Sequence, residues 1–376
     1  MRGKVGESVL TGWVLLFVVA LMVSFVGTWL LSSMGRFSDI GLDLHAGVQK
    51  FHARPTSRLG GIAIVLGLGA ALLVQSAFSA VEAELTFWLA AFLLACAPVF
   101  LGGIIEDLTH KVHAHLRLVL SVISASIAFF YLHVGVTRTD VLLVDMVLSL
   151  PAASYLVTLL VVAGFTQSVN IIDGFHGLAS GVVVIMLACL AAMAWTVNDH
   201  LVMQLCLITA AATIGFFMLN WPMGKIFLGD AGAYLLGFWV VELGLFLTNR
   251  NPTISPMAAV VVGVLPLIET MFSMYRRKFV RQHPIHHPDS LHMHTLIYRR
   301  LVLSPARDRT DHQVNAANAR VALYLWPPVV LFGALACLTM TNTHAQLLWI
   351  IGFAVLYVWV YQRLVGFRAP GWLARR

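Results

Sequence analysis

Residues 10–31, LTGWVLLFVVALMVSFVGTWLL, contain no charged side chain, and their polar members Thr11, Ser24 and Thr28 carry only small hydroxyls. A helix needs about 20 apolar residues to cross about 30 Å of hydrocarbon, so this stretch is long enough to span a bilayer and too long for a buried core helix. Ten more apolar runs follow, bounded by polar or Gly/Pro clusters, at residues 59–78, 85–105, 116–136, 150–165, 178–197, 201–219, 231–247, 254–274, 321–340 and 346–364. The fold expected is an all-α, polytopic membrane helix bundle of about 11 transmembrane helices.

Composition agrees. The 376 residues are 59% hydrophobic and 11% charged, with a mean hydropathy of +0.86, whereas about a quarter of an ordinary soluble domain is charged. Disorder, collagen and coiled coil are excluded as well. Cys96, Cys189, Cys206 and Cys337 lie inside apolar runs without metal-ligand or redox spacing and read as small packing residues. Residues 1–7 are short and basic, but the run behind them is too long for a signal sequence and has no small-residue cleavage site, so it is expected to stay as the first span.

Lysine and arginine set the orientation. With the N-terminus outside, outer segments hold only Arg2, Lys4, Arg138 and Arg250 of the 24 Lys and Arg. Nine lie between Arg276 and Arg320 and four more from Arg363 onward. The expectation is therefore N-out, C-in, in one integral membrane domain, 1–376, with a large cytoplasmic loop at 276–320. Residues 141–150, apolar but carrying Asp145 and ending before Pro151, read as an interfacial piece ahead of the fifth crossing.

In a chain this poor in charge the polar clusters are informative, and all fall on the inner side: residues 43–58, 106–115, 170–176, 220–230 and 276–311. A transport pathway would instead place polar groups near the midplane. Glu106 and Asp107 end the third span; adjacent carboxylates repel unless a cation offsets them, which makes them candidate ligands for Mg²⁺, the bland reading being a solvated helix end. Asn170 and Asp173, three apart, share a helix face if the fifth span extends that far, and Gly174 and Gly177 allow close approach by a ligand. Asp230 opens the eighth span, where the dipole favours anions and where its bland role is an N-cap. His283, His286, His287, His292 and His294 crowd the last inner loop. Without thiolates or an H-E-x-x-H frame they read less as a zinc site than as donors to phosphate oxygens, beside Arg276, Arg277, Lys278 and Arg281. Together these residues describe a site for a metal-bound diphosphate whose co-substrate is a membrane lipid.

Five segments, in order, resemble the polyprenyl-phosphate N-acetylhexosamine-1-phosphate transferases. DLHAGVQKFHARPTSRLGG at 43–61 is similar to the family's first inner loop, with Lys50, His52, Pro55 and Gly60-Gly61 on its K-x-H-x-x-P and G-G elements. GGIIEDLT resembles its acidic pair, NIIDGFHGL its N-x-x-D-G element, NWPMGKIFLGDAG its N…F-x-G-D-x-G element, and PDSLHMH its P-D-x-x-H-L-H loop. Glu106 stands where Asp is usual, and His176 stands where Asp or Asn is usual, so no ligand role is carried to His176. The S-R-L-G-G ending, in place of the T-P-T-M-G-G of the muramoyl-pentapeptide enzymes, points to a plain UDP-N-acetylhexosamine donor.

The resemblance implies transfer of a sugar-1-phosphate from a UDP-N-acetylhexosamine to undecaprenyl phosphate, releasing UMP and starting cell-envelope glycan synthesis in the bacterial inner membrane. It implies Mg²⁺, with Mn²⁺ as the alternative ion, on Asp230 and Asp107, and a catalytic set of Asp107, Asp173, Asp230 and Glu106. Substrate contacts implied are Lys50 and His52 on phosphate oxygens, Asn170 and Asp173 on the metal-bound donor or uridine, Asn220, and His286, His287, His292 and His294 on the pyrophosphate or sugar. A homodimer is compatible with the sequence, and no nucleic-acid partner is expected. The alternative class is a secondary transporter or lipid flippase using the same acidic residues, for which only Glu242, mid-span in the eighth helix, lies at the right depth; it is expected to face the bundle or a partner protomer. Glu269, three residues after Pro266 in the ninth span, is expected to sit at a kink bordering a prenyl groove or to reach towards Arg276 or Arg277.

Overall fold

Ten helices among the described residues are long and apolar enough to cross a membrane, and one bent pair makes an eleventh. The computed structural model describes residues 2–34, 42–43, 56–78, 83–280, 291–303 and 310–366. In chain order the helices are α1 (Arg2–Met34), α2 (Gly60–Phe78), α3 (Ala83–Thr109), α4 (Ala114–Ile127), α5 (Leu142–Leu148), α6 (Pro151–Ile172), α7 (Leu178–Thr196), α8 (His200–Asn220), α9 (Gly229–Arg250), α10 (Pro256–Val262), α11 (Val264–Tyr275), α12 (Met293–Ile297), α13 (Asp311–Leu338) and α14 (Thr343–Val365). Two short strands, β1 (Leu42–Asp43) and β2 (Thr56–Ser57), pair antiparallel between α1 and α2. The protein is thus the all-α polytopic bundle expected, and the apolar piece before the fifth crossing is the separate short helix α5, with Leu142, Leu143 and Met146 exposed.

Helix α9 is the axis of the bundle. It is buried along almost its whole length and packs against α2, α3, α6, α7 and α10. Lipid tails are as apolar as leucine, so burial alone does not drive helices together in a bilayer; close backbone packing through small residues does. Gly61 of α2 and Gly103 of α3 supply it, since a Cβ on either would collide with the backbone of Ala231 or Gly232 at the start of α9. Glu242 faces the bundle with 0% exposure, and among the described residues neither of its oxygens has a hydrogen-bond partner. The four cysteines are free, as their setting implied.

The ninth span is broken: α10 and α11 meet at an angle of 76°. The break falls at Gly263, before the proline and not at it. A proline ring clashes with the carbonyl four residues earlier, here that of Val262, where α10 ends; within the first turn of α11 the missing N–H of Pro266 costs nothing. The segment 276–320 is less of a loop than its polarity suggested. Arg276–Val280 continues α11 as a π-helical turn, α12 runs into a second at Tyr298–Val302, and α13 begins at Asp311 behind a capping box of Thr310 and Gln313.

Candidate active site

The N-terminus of α9 is built from three other segments. Gly60 and Gly61 donate their N–H groups to the carbonyls of Phe227 and Leu228, both at 3.0 Å, and Phe227 donates to Ser57 at 2.8 Å. The chain then turns through Gly229 at φ +75°, a conformation that favours glycine, and a Cβ there would meet Arg58 and Asp107. No side chain of α9's own entry segment caps it. Asp107, from the last turns of α3, does so instead: Oδ1 accepts the Asp230 N–H and Oδ2 the Ala231 N–H, each at 2.9 Å. A carboxylate at the positive end of a helix dipole, taking two of its orphan N–H groups, is favourably placed. Its neighbour Glu106 accepts the Val112 N–H at 2.7 Å and pins the turn after α3.

Asp230 is freed by this arrangement for three side-chain donors. Arg58 reaches Oδ1 at 3.0 Å, Asn170 the same oxygen at 3.1 Å, and Arg117 reaches Oδ2 at 2.8 Å. Arg117 also donates to the Tyr234 hydroxyl, one turn along α9, at 3.3 Å, and the Arg58 Nε lies 3.4 Å from Asp107. Asp173, at the C-terminal end of α6, donates its backbone N–H to the Asn170 carbonyl at 3.2 Å, while its carboxylate makes no hydrogen bond among the described residues. Burial pushes its carboxyl up to about 8; the like charges of Asp230 and Asp107 add to this and Arg58 opposes it. Asp107, Asp173, Asp230 and Asn170, more than a hundred residues apart at the extremes, therefore border one cluster at one end of the bundle.

A family profile described as Glycosyl transferase family 4 matches residues 88–248, which take in Asp107, Arg117, Asn170, Asp173 and Asp230. The chain is 28% identical over 285 residues to the Bacillus subtilis protein named "Probable undecaprenyl-phosphate N-acetylglucosaminyl 1-phosphate transferase", covering 75% of this chain and 76% of the relative. It is 24% identical over 368 residues to the decaprenyl-phosphate N-acetylglucosaminephosphotransferase of Mycolicibacterium smegmatis, covering 90% and 84%. With the undecaprenyl-phosphate alpha-N-acetylglucosaminyl 1-phosphate transferase of Escherichia coli K12 it shares 27% over 269 residues, 69% and 70% of the two chains. Each of these relatives is named as a transferase of N-acetylglucosamine 1-phosphate to a polyprenyl phosphate, and the chain is similar to them over most of its length. Its ten to eleven membrane-length helices make it a multi-pass membrane protein.

Several anticipated residues do something different from what their type suggested. Asn220 has both ends of its amide on the backbone: its Oδ1 accepts the Gly177 N–H at 2.6 Å and its Nδ2 donates to the Ile226 carbonyl at 2.8 Å. Buried at 5% exposure, it staples the Asp173 turn to the Asp230 entry. Asp107 was anticipated on metal or acceptor phosphate, yet both its oxygens hold backbone N–H groups, so its first work is to set the position of Asp230. His176 is buried, with its ring against Phe227 and Gly224, while Asn318 of α13 accepts its backbone N–H at 2.7 Å. The anticipated substrate contacts Lys50, His52, His286 and His287 lie outside the described residues. His292 and His294 are described: their rings stack 5.3 Å apart, and a Cβ on Gly174 would lie 3.2 Å from His294 Nε2. The segment carrying His294 thus reaches the Asp173 corner.

Arg58, Arg117 and Tyr234 were not anticipated. Arg117 had a signal, being the one charged residue within the expected fourth span, where an ionisable side chain is costly and therefore a functional candidate. Tyr234 had none, because a tyrosine within an apolar span reads as packing.

The donor set suits a hard divalent ion completed by substrate. Among the described residues no three His, Cys, Asp or Glu side chains form a metal cage. Mg²⁺ is commonly held through one or two carboxylates plus water and substrate phosphates, whereas a structural zinc ion requires four closed protein ligands. Asp173, whose carboxylate makes no hydrogen bond among the described residues, and Asp230 are the carboxylates that could serve; a cation would share Asp230 with Arg58 and Arg117 and would take the place of the proton that burial favours on Asp173.

Proposed function

We propose that the protein transfers N-acetylhexosamine-1-phosphate from a UDP-sugar to undecaprenyl phosphate at the cytoplasmic face of the bacterial inner membrane, with its N-terminus outside and its C-terminus inside. The observation that carries the reading is the cluster of Asp230, Arg58, Arg117, Asn170 and Asp173 at one end of a membrane bundle, in a chain similar to polyprenyl-phosphate N-acetylglucosamine-1-phosphate transferases. The lipid phosphate oxygen forms a bond to the β-phosphorus of the donor, the bond from that phosphorus to the bridging oxygen breaks, and UMP leaves with the electron pair. The second pKa of such a phosphate is about 6, so the acceptor is largely dianionic at neutral pH and needs little activation. The difficulty is to bring two anions together in line.

Asp230 and Asp173 would hold Mg²⁺ or Mn²⁺, which supplies charge neutralisation across the diphosphate when bound. Arg58 and Arg117, resting on Asp230, are the nearest cations available to phosphate oxygens, and Arg117 is steadied by Tyr234. Asp107 fixes the α9 terminus so that Asp230 stays in register. Asn170 bonds Asp230 and sets its carboxylate plane. The His292–His294 stack closes the side next to Gly174, where the donor diphosphate or sugar would lie, with Lys50, His52, His286 and His287 assigned to further anion contacts. A homodimer remains compatible with this arrangement.

The test is turnover. Purified protein in detergent is incubated with undecaprenyl phosphate, Mg²⁺ and a panel of radiolabelled UDP-N-acetylhexosamines; label should enter the lipid phase as UMP appears in water. No turnover with any donor overturns the proposal.

A further inference from the structure

Among the described residues no hydrogen bond or ion pair joins Glu269 to Arg276 or Arg277. It is 2% exposed and spends both oxygens on other elements. Oε1 lies 2.9 Å from His292 Nδ1 and accepts the Met293 N–H at 3.1 Å. Oε2 accepts the Tyr357 hydroxyl of α14 at 2.9 Å. The same two helices hold the loop a second time, through Arg276, which donates to the Leu291 carbonyl at 2.7 Å and to the Tyr361 hydroxyl at 2.5 Å. Two spans, one of them the broken ninth, therefore grip residues 291–293 from behind.

The chemistry of the grip is specific to one ring atom. A carboxylate against Nδ1 is satisfied only if Nδ1 carries a proton, and in a neutral imidazole that leaves Nε2 with the lone pair. His292 Nε2 indeed faces a donor, the Arg277 guanidinium, at 3.4 Å. The ring lies parallel to that of His294, with 8° between the planes, and His294 in turn abuts Gly174 and packs its ring edge-on against Phe175, 5.5 Å away. A line of contacts thus joins Glu269 to the corner beside Asp173. A loop staple alone would need only the Met293 N–H; the bond to Nδ1 adds orientation of a side chain.

We propose that Glu269 is a positioning residue of the transfer reaction: by binding Nδ1–H it fixes the tautomer and plane of His292, so that the His292–His294 stack is presented to the substrate diphosphate beside Asp173, with Tyr357 holding the far oxygen of the carboxylate. The proposal rests on the functional reading above. Groups that orient a ligand-binding histidine in this way are worth about 10–100-fold when removed.

The experiment is a double-mutant cycle on kcat per folded enzyme, with folding checked by melting in detergent. E269A should lose about 10–100-fold in kcat, and E269Q, whose carbonyl can still accept Nδ1–H, should recover most of that loss. The double variant E269A/H292A should be no slower than H292A alone, because Glu269 acts through that ring. Losses that multiply, or an E269Q as slow as E269A, overturn the proposal. If E269A does not survive purification, the ¹⁵N-histidine spectrum of the wild-type protein decides, His292 being assigned by its absence from H292A. The Nδ1–H tautomer is expected, and an Nε2–H tautomer overturns the proposal. A wild-type enzyme inactive with every donor defeats the functional reading instead and leaves the tautomer measurement standing.

Discussion

Replacing Asp107 by Asn separates a capping carboxylate from a purely chemical one. The side chain accepts two backbone N–H groups of α9 at 2.9 Å, one on each oxygen. Asn offers one carbonyl oxygen and one NH₂, so whichever way the amide turns, one N–H faces a donor. A buried N–H left without a partner costs about 1–3 kcal/mol, and loss of the negative charge at the helix N-terminus adds about 0.3–1 kcal/mol. Relief from burying a charge works the other way, but Arg58, 3.4 Å from the carboxylate, is then deprived of a partner and offsets it. A net loss of about 1.5–4 kcal/mol corresponds, for a chain of this length, to a melting temperature lower by roughly 2–5 °C, read on detergent-purified protein. Activity falls with it, since Asp230 shifts. An Asp107→Asn protein that is inactive but melts within about 1 °C of wild type would refute the capping role and return Asp107 to metal or substrate.

Asp230→Asn, which touches no backbone N–H, should lose about 100-fold or more in kcat with a smaller change in melting than Asp107→Asn; near-wild-type turnover would remove Asp230 from the chemistry. Asn220→Ala strands the Gly177 N–H and the Ile226 carbonyl, so a loss of about 2 kcal/mol or more is expected, seen as reduced thermal stability without a selective rise in donor KM. Asp173, raised by burial to about 8, holds a proton in the folded, metal-free protein that the unfolded chain has released. The stability of that protein therefore falls as pH climbs from about 4 to about 8, and Asp173→Asn should flatten the profile in a chelator-treated melting series. Reporter fusions after Arg250 and after Arg307 should report opposite sides of the membrane, and the same side for both would reverse the proposed orientation.

Much of this architecture was legible in the linear chain because a bilayer imposes a length and a polarity on every crossing. Runs of about 20 apolar residues could be counted without knowing how they pack. The acidic residues were legible for a related reason: charge is rare in such a sequence, so each inner cluster stood out. What residue type could not reveal was which partner each polar group takes. Asp107 and Asp230 are chemically alike, yet one caps a helix from 123 positions away and the other gathers two guanidinium groups. Asn220 and Asn170 are likewise the same side chain, one binding backbone on both sides of a turn and the other facing the carboxylate cluster. Glu269 gave no hint of His292, nor Arg117 of Tyr234. Composition and spacing determine where a chain must cross and where it can afford charge; hydrogen bonds between distant segments depend on distances of about 3 Å, which only the packed bundle decides.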